Sequence, residues 1–131
     1  MVIIPTMRND LSGGSLTFPE TYPEGLLDHG SVSSGTVTVD ASVAGYHKIT
    51  VTGNITLQVG GGTAGKVTPV TIEITDGGAH TVQFTAAGGL TTPGGIVPAL
   101  SVSGKDIIEG VISSTGIVLF PAGYDIKTPG A

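Results

Sequence analysis

Between Tyr46 and Thr75 the sequence reads YHKITVTGNITLQVGGGTAGKVTPVTIEIT, two alternating apolar and polar ribbons joined by a glycine loop. Ile49, Val51, Ile55, Leu57 and Val59 recur at odd positions, and Val70, Ile72 and Ile74 at even ones. A period of two puts those side chains on one face of a pleated strand and turns the threonines, Gln58 and Glu73 to the other. This pattern commits the centre of the chain to β-structure.

The rest of the chain agrees with that commitment. Its 22 glycines and eight prolines are too many for a helical protein and suit tight turns between short strands. With three Phe, three Tyr and no Trp, the core has to come from Val, Ile and Leu. At 131 residues the chain fits one domain with a real core. Charged residues are only 11% of the total, so the outward strand faces carry Thr and Ser. Weakly charged strand edges pair readily with other chains, which hints at an assembly.

Residues 1–30 read as an N-terminal arm. Val2, Ile3, Ile4, Leu11, Leu16, Phe18 and Tyr22 supply apolar side chains without a stable period, and Pro5, Pro19 and Pro23 exclude a long helix. One short turn fits near Glu24–Asp28. Such an arm either packs on a partner or folds back over its own domain, since termini are ordered only when tied down. Residues 31–126 read as one β-domain and residues 127–131 as a loose tail. Strands are expected around Val32–Asp40, where Thr36-Val37-Thr38-Val39 alternates, and at Tyr46–Thr52, Ile55–Val59, Val70–Thr75, Thr81–Thr85 and Leu100–Val102. Gly53-Asn54 suggests a tight hairpin or a bulge, and Ile107–Ser113 pairs with Ile117–Phe120 across Ser114-Thr115-Gly116. About seven to nine short strands with no amphipathic helix predict an all-β fold, an antiparallel β-sandwich or jelly roll. No clean internal repeat is visible.

The glycine loop imitates two nucleotide motifs. Gly60 to Lys66 fits G-x-x-x-x-G-K, and Gly60, Gly62 and Gly65 fit G-x-G-x-x-G. A Walker loop needs Ser or Thr after the lysine to hold magnesium, and this chain has Val67. Both motifs also need a helix at once, because the phosphate rests on its first N–H groups. Pro69 and an alternating run follow instead, so a glycine connection between strands is the better reading. His29, His47 and His80 have no second ligand at a metal-binding spacing, and no metal or other cofactor is expected. Asp40, Asp76, Asp106 and Asp125 lie near turns, where aspartate bonds local backbone. No nucleophile elbow is present, and Asn54-Ile55-Thr56 matches the glycosylation sequon inside a strand pattern. The residues therefore point to a structural or binding protein, not an enzyme.

A net charge of −5 with no basic run argues against nucleic acid or an anionic membrane as partner. No apolar run approaches the length of a membrane span. Without cysteine there are no disulfides or thiolate sites. The N-terminal residues lack the pattern of a secretory signal, and a soluble product is expected.

Three phrases then carry a family resemblance. TVTVDASVAGYHKITVTGNITLQV, PVTIEITDGGAHTVQFTAAGG and LSVSGKDIIEGVISSTGIVLFPAGYDI resemble β-modules of tailed-bacteriophage virion proteins over about residues 31–126. In that family a V-T-L-D strand pairs with an L-T-G-N-V-T-L strand ahead of a glycine-rich loop. The family's aromatic positions near the last hairpin are lighter here, at Gly110, Val111 and Leu119. Such modules occur in tail fibres and as small head-attached proteins. This chain has neither coiled coils nor fibre repeats and looks more like a capsid decoration, or cement, protein. The resemblance implies a homotrimer made in the bacterial cytoplasm and docked on the capsid surface of the virion. Its partner is the major capsid protein, and the N-terminal arm makes the contact. The alternative is a tail-fibre or baseplate module that binds a receptor or glycan through loops 60–66 and 86–98.

Overall fold

The computed structural model describes residues 25–129, with nine strands and two short 3-10 turns in that span. The strands are β1 (Leu26–Val32), β2 (Thr36–Asp40), β3 (Tyr46–Val51), β4 (Ile55–Gly60) and β5 (Thr68–Thr75). They continue as β6 (Val82–Ala86), β7 (Leu90–Thr91), β8 (Lys105–Ser113) and β9 (Gly116–Ile126). The all-β class expected from the alternation is what the chain adopts.

The pairing is the surprise. From β1 to β6 consecutive strands do not fold back on one another; they alternate between two sheets. One sheet has the order β1-β3-β5-β8-β9-β7 and the other β2-β4-β6. β1, β3 and β5 run parallel, as do β2, β4 and β6. Through β6 each strand thus stacks on the strand two places earlier, and this part of the chain winds as stacked coils in the manner of a solenoid. Antiparallel pairing is confined to β5–β8 and β8–β9. There the expected hairpin across Ser114-Thr115 is present, with Ser113 opposite Gly116.

Gly53-Asn54 shows why a hairpin does not form there. A tight two-residue hairpin needs positive φ at its centre, and neither residue has it. The chain instead turns a corner from one sheet to the other. A Cβ on Gly53 would lie 2.0 Å from the Ser33 carbonyl oxygen, so only glycine lets this corner rest on the corner below. Asn54 Oδ1 accepts the Thr81 N–H at 2.9 Å, fastening the same corner to the coil above.

The inward faces of the two sheets share one core. Ile49, Val51, Val70, Ile72, Ile74, Ile108, Ile112, Ile117 and Leu119 come from the large sheet. Val37, Val39, Ile55, Leu57 and Val59 come from the small one, with Val82 and Phe84 partly buried beside them. Each fully buried aliphatic side chain contributes about 1.5–3 kcal/mol relative to exposure. The odd and even registers of the central ribbons are therefore the core positions, as the period implies.

Three local expectations are corrected. Leu26–Asp28, expected as a short turn, belongs to β1, which straddles the boundary drawn at residue 30. Leu100–Val102 is not a strand but a segment held by a buried carboxylate, described below. The connection 86–98 contains the short strand β7 and a 3-10 turn at Pro93–Gly95. The arm residues Val2, Ile3, Ile4, Leu11, Leu16, Phe18 and Tyr22 lie outside the described residues.

Candidate functional site

The glycine loop leaves β4 and runs directly into β5, with no helix to receive a phosphate. Two of its glycines, Gly61 and Gly62, serve packing. Gly61 has φ +94, and a Cβ there would fall 2.1 Å from Asp40 Oδ1 and 2.6 Å from the Ala41 nitrogen. The loop closes on itself through Lys66 N–H to Thr63 O at 3.0 Å. It borders a recess of about 340 Å³ whose other walls include Ala87, Ile112 and Ile117. The lysine at its end is exposed and has no phosphate cradle beside it.

The polar side chains singled out in the sequence are spent largely on the fold. Asp40 Oδ1 accepts both the N–H and the hydroxyl of Ser42, at 2.9 and 2.6 Å, closing the turn before β3. Those hydrogen bonds, the hydroxyl's first, hold its carboxyl below the usual aspartate value. Asp76 sits in the left-handed region at φ 60 and accepts the Gly104 N–H at 2.9 Å. Asp125, at φ 53, pairs with Lys127 at 2.8 Å. Asp76 reaches across to Gly104 and Asp125 lies within β9, so of these three Asp40 alone fits the expectation of aspartates bonding local backbone at turns.

Asp106 does not. Its side chain is wholly buried at the start of β8. Oδ1 accepts the Ser101 hydroxyl at 2.6 Å and the Asp125 N–H at 2.9 Å, while Oδ2 accepts the Ser101 N–H at 2.6 Å. One carboxylate thus ties the 101 segment and the end of β9 to the core. The signal for its burial is in the sequence: Asp106 shares its parity with Ile108 and Ile112, the inward positions of β8.

His29 and His47, far apart in sequence, meet in space. His29 Nε2 lies 2.9 Å from His47 Nδ1, and the rings are nearly parallel with centroids 5.1 Å apart. Burial first, then the neighbouring His47, lowers the His29 pKa against an opposing pull from Asp28. His80 is exposed at the end of the 3-10 turn Gly77–Ala79 and joins no such pair. Among the described residues no group of His, Asp and Glu is arranged to hold a metal ion. Among them, too, no helix is long and apolar enough to cross a membrane.

On the outer face of the large sheet, Tyr46 donates to Glu73 Oε1 at 2.6 Å and Lys105 approaches Oε2 at 3.4 Å. Beyond this polar group the same face turns apolar. Pro69, Val111 and Val118 are in register on β5, β8 and β9, all exposed, and Val67 stands exposed just before β5. Sequence alternation marks Val111 and Val118 as outward positions, but only the register puts them side by side. This strip is suited to contact, since apolar surface gains by leaving water.

The small sheet presents a different outer face. A groove of about 410 Å³ at one end is lined by Gly35, Thr36, Asn54, Ile55, Thr56, Thr81 and Gln83. It carries hydroxyls and amides without a charge or an aromatic ring.

No protein-family model matches the chain, and neither a curated protein nor a solved structure matches it.

Proposed function

We propose that this chain is a structural virion protein, which binds the outer surface of an assembled bacteriophage capsid and stabilises it by bridging neighbouring capsid subunits. The observation that carries the reading is the exposed strip Pro69–Val111–Val118 on an otherwise weakly charged β-body. The buried Asp106 and His47 are engaged in holding its shape, each bonding another segment, and the exposed Asn54 ties one corner to the next. A ligand that binds the assembled lattice better than its free subunits shifts the equilibrium toward the lattice by mass action. No bond has to be made or broken, so the chain acts here without catalysis or cofactor.

In this reading the protein is a homotrimer made in the bacterial cytoplasm, and its partner is the major capsid protein. The two facing sheets serve as a sandwich-like spacer, and the arm ahead of β1 reaches to the neighbouring subunit. Purified protein should sediment with expanded capsids of its phage and not with unassembled capsid subunits. Deleting residues 1–18 should abolish that binding and leave a folded oligomer. Equal binding of the truncated chain would remove the arm from the mechanism, and no binding by the full chain would refute the reading.

The neutral groove on the small sheet favours a second reading, a tail-fibre or baseplate module with a glycan-binding role. Its hydroxyls and amides match the donors and acceptors of an uncharged sugar. The groove lies apart from loops 60–66 and 86–98, where recognition was expected.

A further inference from the structure

His47 is wholly buried, and its Nε2 lies 3.0 Å from the Ala44 carbonyl oxygen and 3.1 Å from that of Asp40. Carbonyl oxygens only accept, so in the neutral ring Nε2 carries the hydrogen and Nδ1 the lone pair. That lone pair faces His29 Nε2, which must therefore be the donor across their 2.9 Å contact. The chain of bonds runs one way: His29 to His47, and His47 to the carbonyls of the turn before β3.

His29 occupies a special place on β1. The ladder between β1 and β3 breaks between Asp28 and Ser31, leaving His29 and Gly30 in a bulge. Gly30, at φ 71, donates its N–H to Asp28 Oδ1 at 2.8 Å, which shapes the bulge. Where the backbone ladder is interrupted, the ring-to-ring bond is the fastening between the two strands. β1 is also the terminal strand of the large sheet, with β3 its one neighbour among the described residues.

We propose that the His29–His47 pair is an acid-sensitive latch that holds β1 on the sheet and lets it go when both rings take up protons. One added proton is tolerated, because His29 can bind it on Nδ1 and still donate from Nε2. A second proton has to go to His47 Nδ1, which sets N–H against N–H across 2.9 Å and two positive charges in contact. Once β1 lifts away, the His29 ring is hydrated and binds its proton at about the ordinary histidine value, near 6.5.

The surrounding charges are few. Asp28 on β1 favours the charged form of His29. Asp40, on the turn packed against His47, attracts a charged His47, although its Oδ1 is held by Ser42. Lys48 follows His47 in sequence but falls on the other face of β3, in register with Asp28. Burial outweighs Asp28 at His29, whose pKa is lowered. The detached state thus binds more protons than the latched one below the ordinary histidine value. The latch weakens as pH falls through that value, and the loss is complete below the latched state's own pKa.

Two amides report on β1 directly: Tyr46 N–H bonds Gly25 O at 3.0 Å and Thr52 N–H bonds Val32 O at 2.9 Å. Hydrogen exchange of the full chain is compared from about pH 8 to about pH 5, corrected for intrinsic rates, against the core amide of Ile72. Protection at Tyr46 and Thr52 should drop about tenfold or more between about pH 8 and about pH 5, while Ile72 holds. In His29→Gln, whose amide donates to His47 without titrating, that drop should flatten. A wild-type chain with constant protection, or a variant with the same drop, overturns the latch. Imidazole nitrogen spectra of the wild type give a second readout should the variant misfold. They should show His47 as the Nε2–H tautomer near neutral pH and the bond broken in acid. A bond intact with both rings charged overturns the latch equally.

Discussion

Replacing Asp106 by asparagine alters a single atom in a buried site and should be among the costlier isosteric changes in this chain. The three contacts to the carboxylate all come from donors, the Ser101 N–H, the Ser101 hydroxyl and the Asp125 N–H. Asparagine has one oxygen and one NH2 in the same volume. With the NH2 at the Oδ2 position it faces the Ser101 N–H; at the Oδ1 position it faces the Asp125 N–H, and the Ser101 hydroxyl must rotate. Either way one buried donor opposes another and the remaining bonds lose their charged acceptor. A hydrogen bond to a charged group contributes about 1.5–3 kcal/mol, and a buried unsatisfied donor costs about 1–3 kcal/mol. Because these overlap, a loss of about 2–4 kcal/mol is expected for Asp106→Asn. In a domain of this size that lowers Tm by roughly 8–16 °C. Asp76→Asn is the matched control. Asparagine tolerates the left-handed backbone at that position, and its oxygen can still accept from Gly104, so the loss should stay below about 0.5 kcal/mol. Urea titrations of both variants with circular dichroism measure the difference. Equal effects, or an Asp106→Asn change within about 0.5 kcal/mol of wild type, would refute the assignment of Asp106 as the internal tie.

Gly61→Ala should destabilise by about 2 kcal/mol or more, because the new methyl meets Asp40 and Ala41 at a positive φ. Lys66→Ala in the same loop should leave stability unchanged within about 0.5 kcal/mol, and neither wild type nor variant should bind magnesium nucleotide in calorimetry. Val118→Lys puts a charge in the outer strip, opposite Val111, without touching the core. It should fold normally and bind capsids at least about tenfold more weakly, a loss of about 1.4 kcal/mol; unchanged binding would move the contact elsewhere.

What the sequence disclosed followed from periodicity. Val70, Ile72 and Ile74 announced their strand and its inward face, and Ser114-Thr115-Gly116 announced its hairpin. Strand partners were not disclosed, because alternation says which face a residue takes and nothing about which strand lies beside it. The coil spacing is also uneven: Tyr46 lies beside both Leu26 and Thr71, and the bulge at His29 breaks the register. A repeat of that kind leaves no fixed period to find. The same gap hid the two groupings on which the proposals rest. His29 and His47 meet only because β1 stacks on β3, and Val111 meets Pro69 only because β8 runs back along β5. The loop at Gly60–Lys66 was the reverse case, a motif legible in sequence whose meaning depends on a helix that the fold does not supply.

The proposed role is tested most directly by the copy number of this chain in purified phage particles, measured by quantitative mass spectrometry against the major capsid protein. A head-stabilising protein is expected at a number comparable to the capsid subunits, distributed over the shell. A handful of copies confined to the tail, or none in the particle, would contradict it.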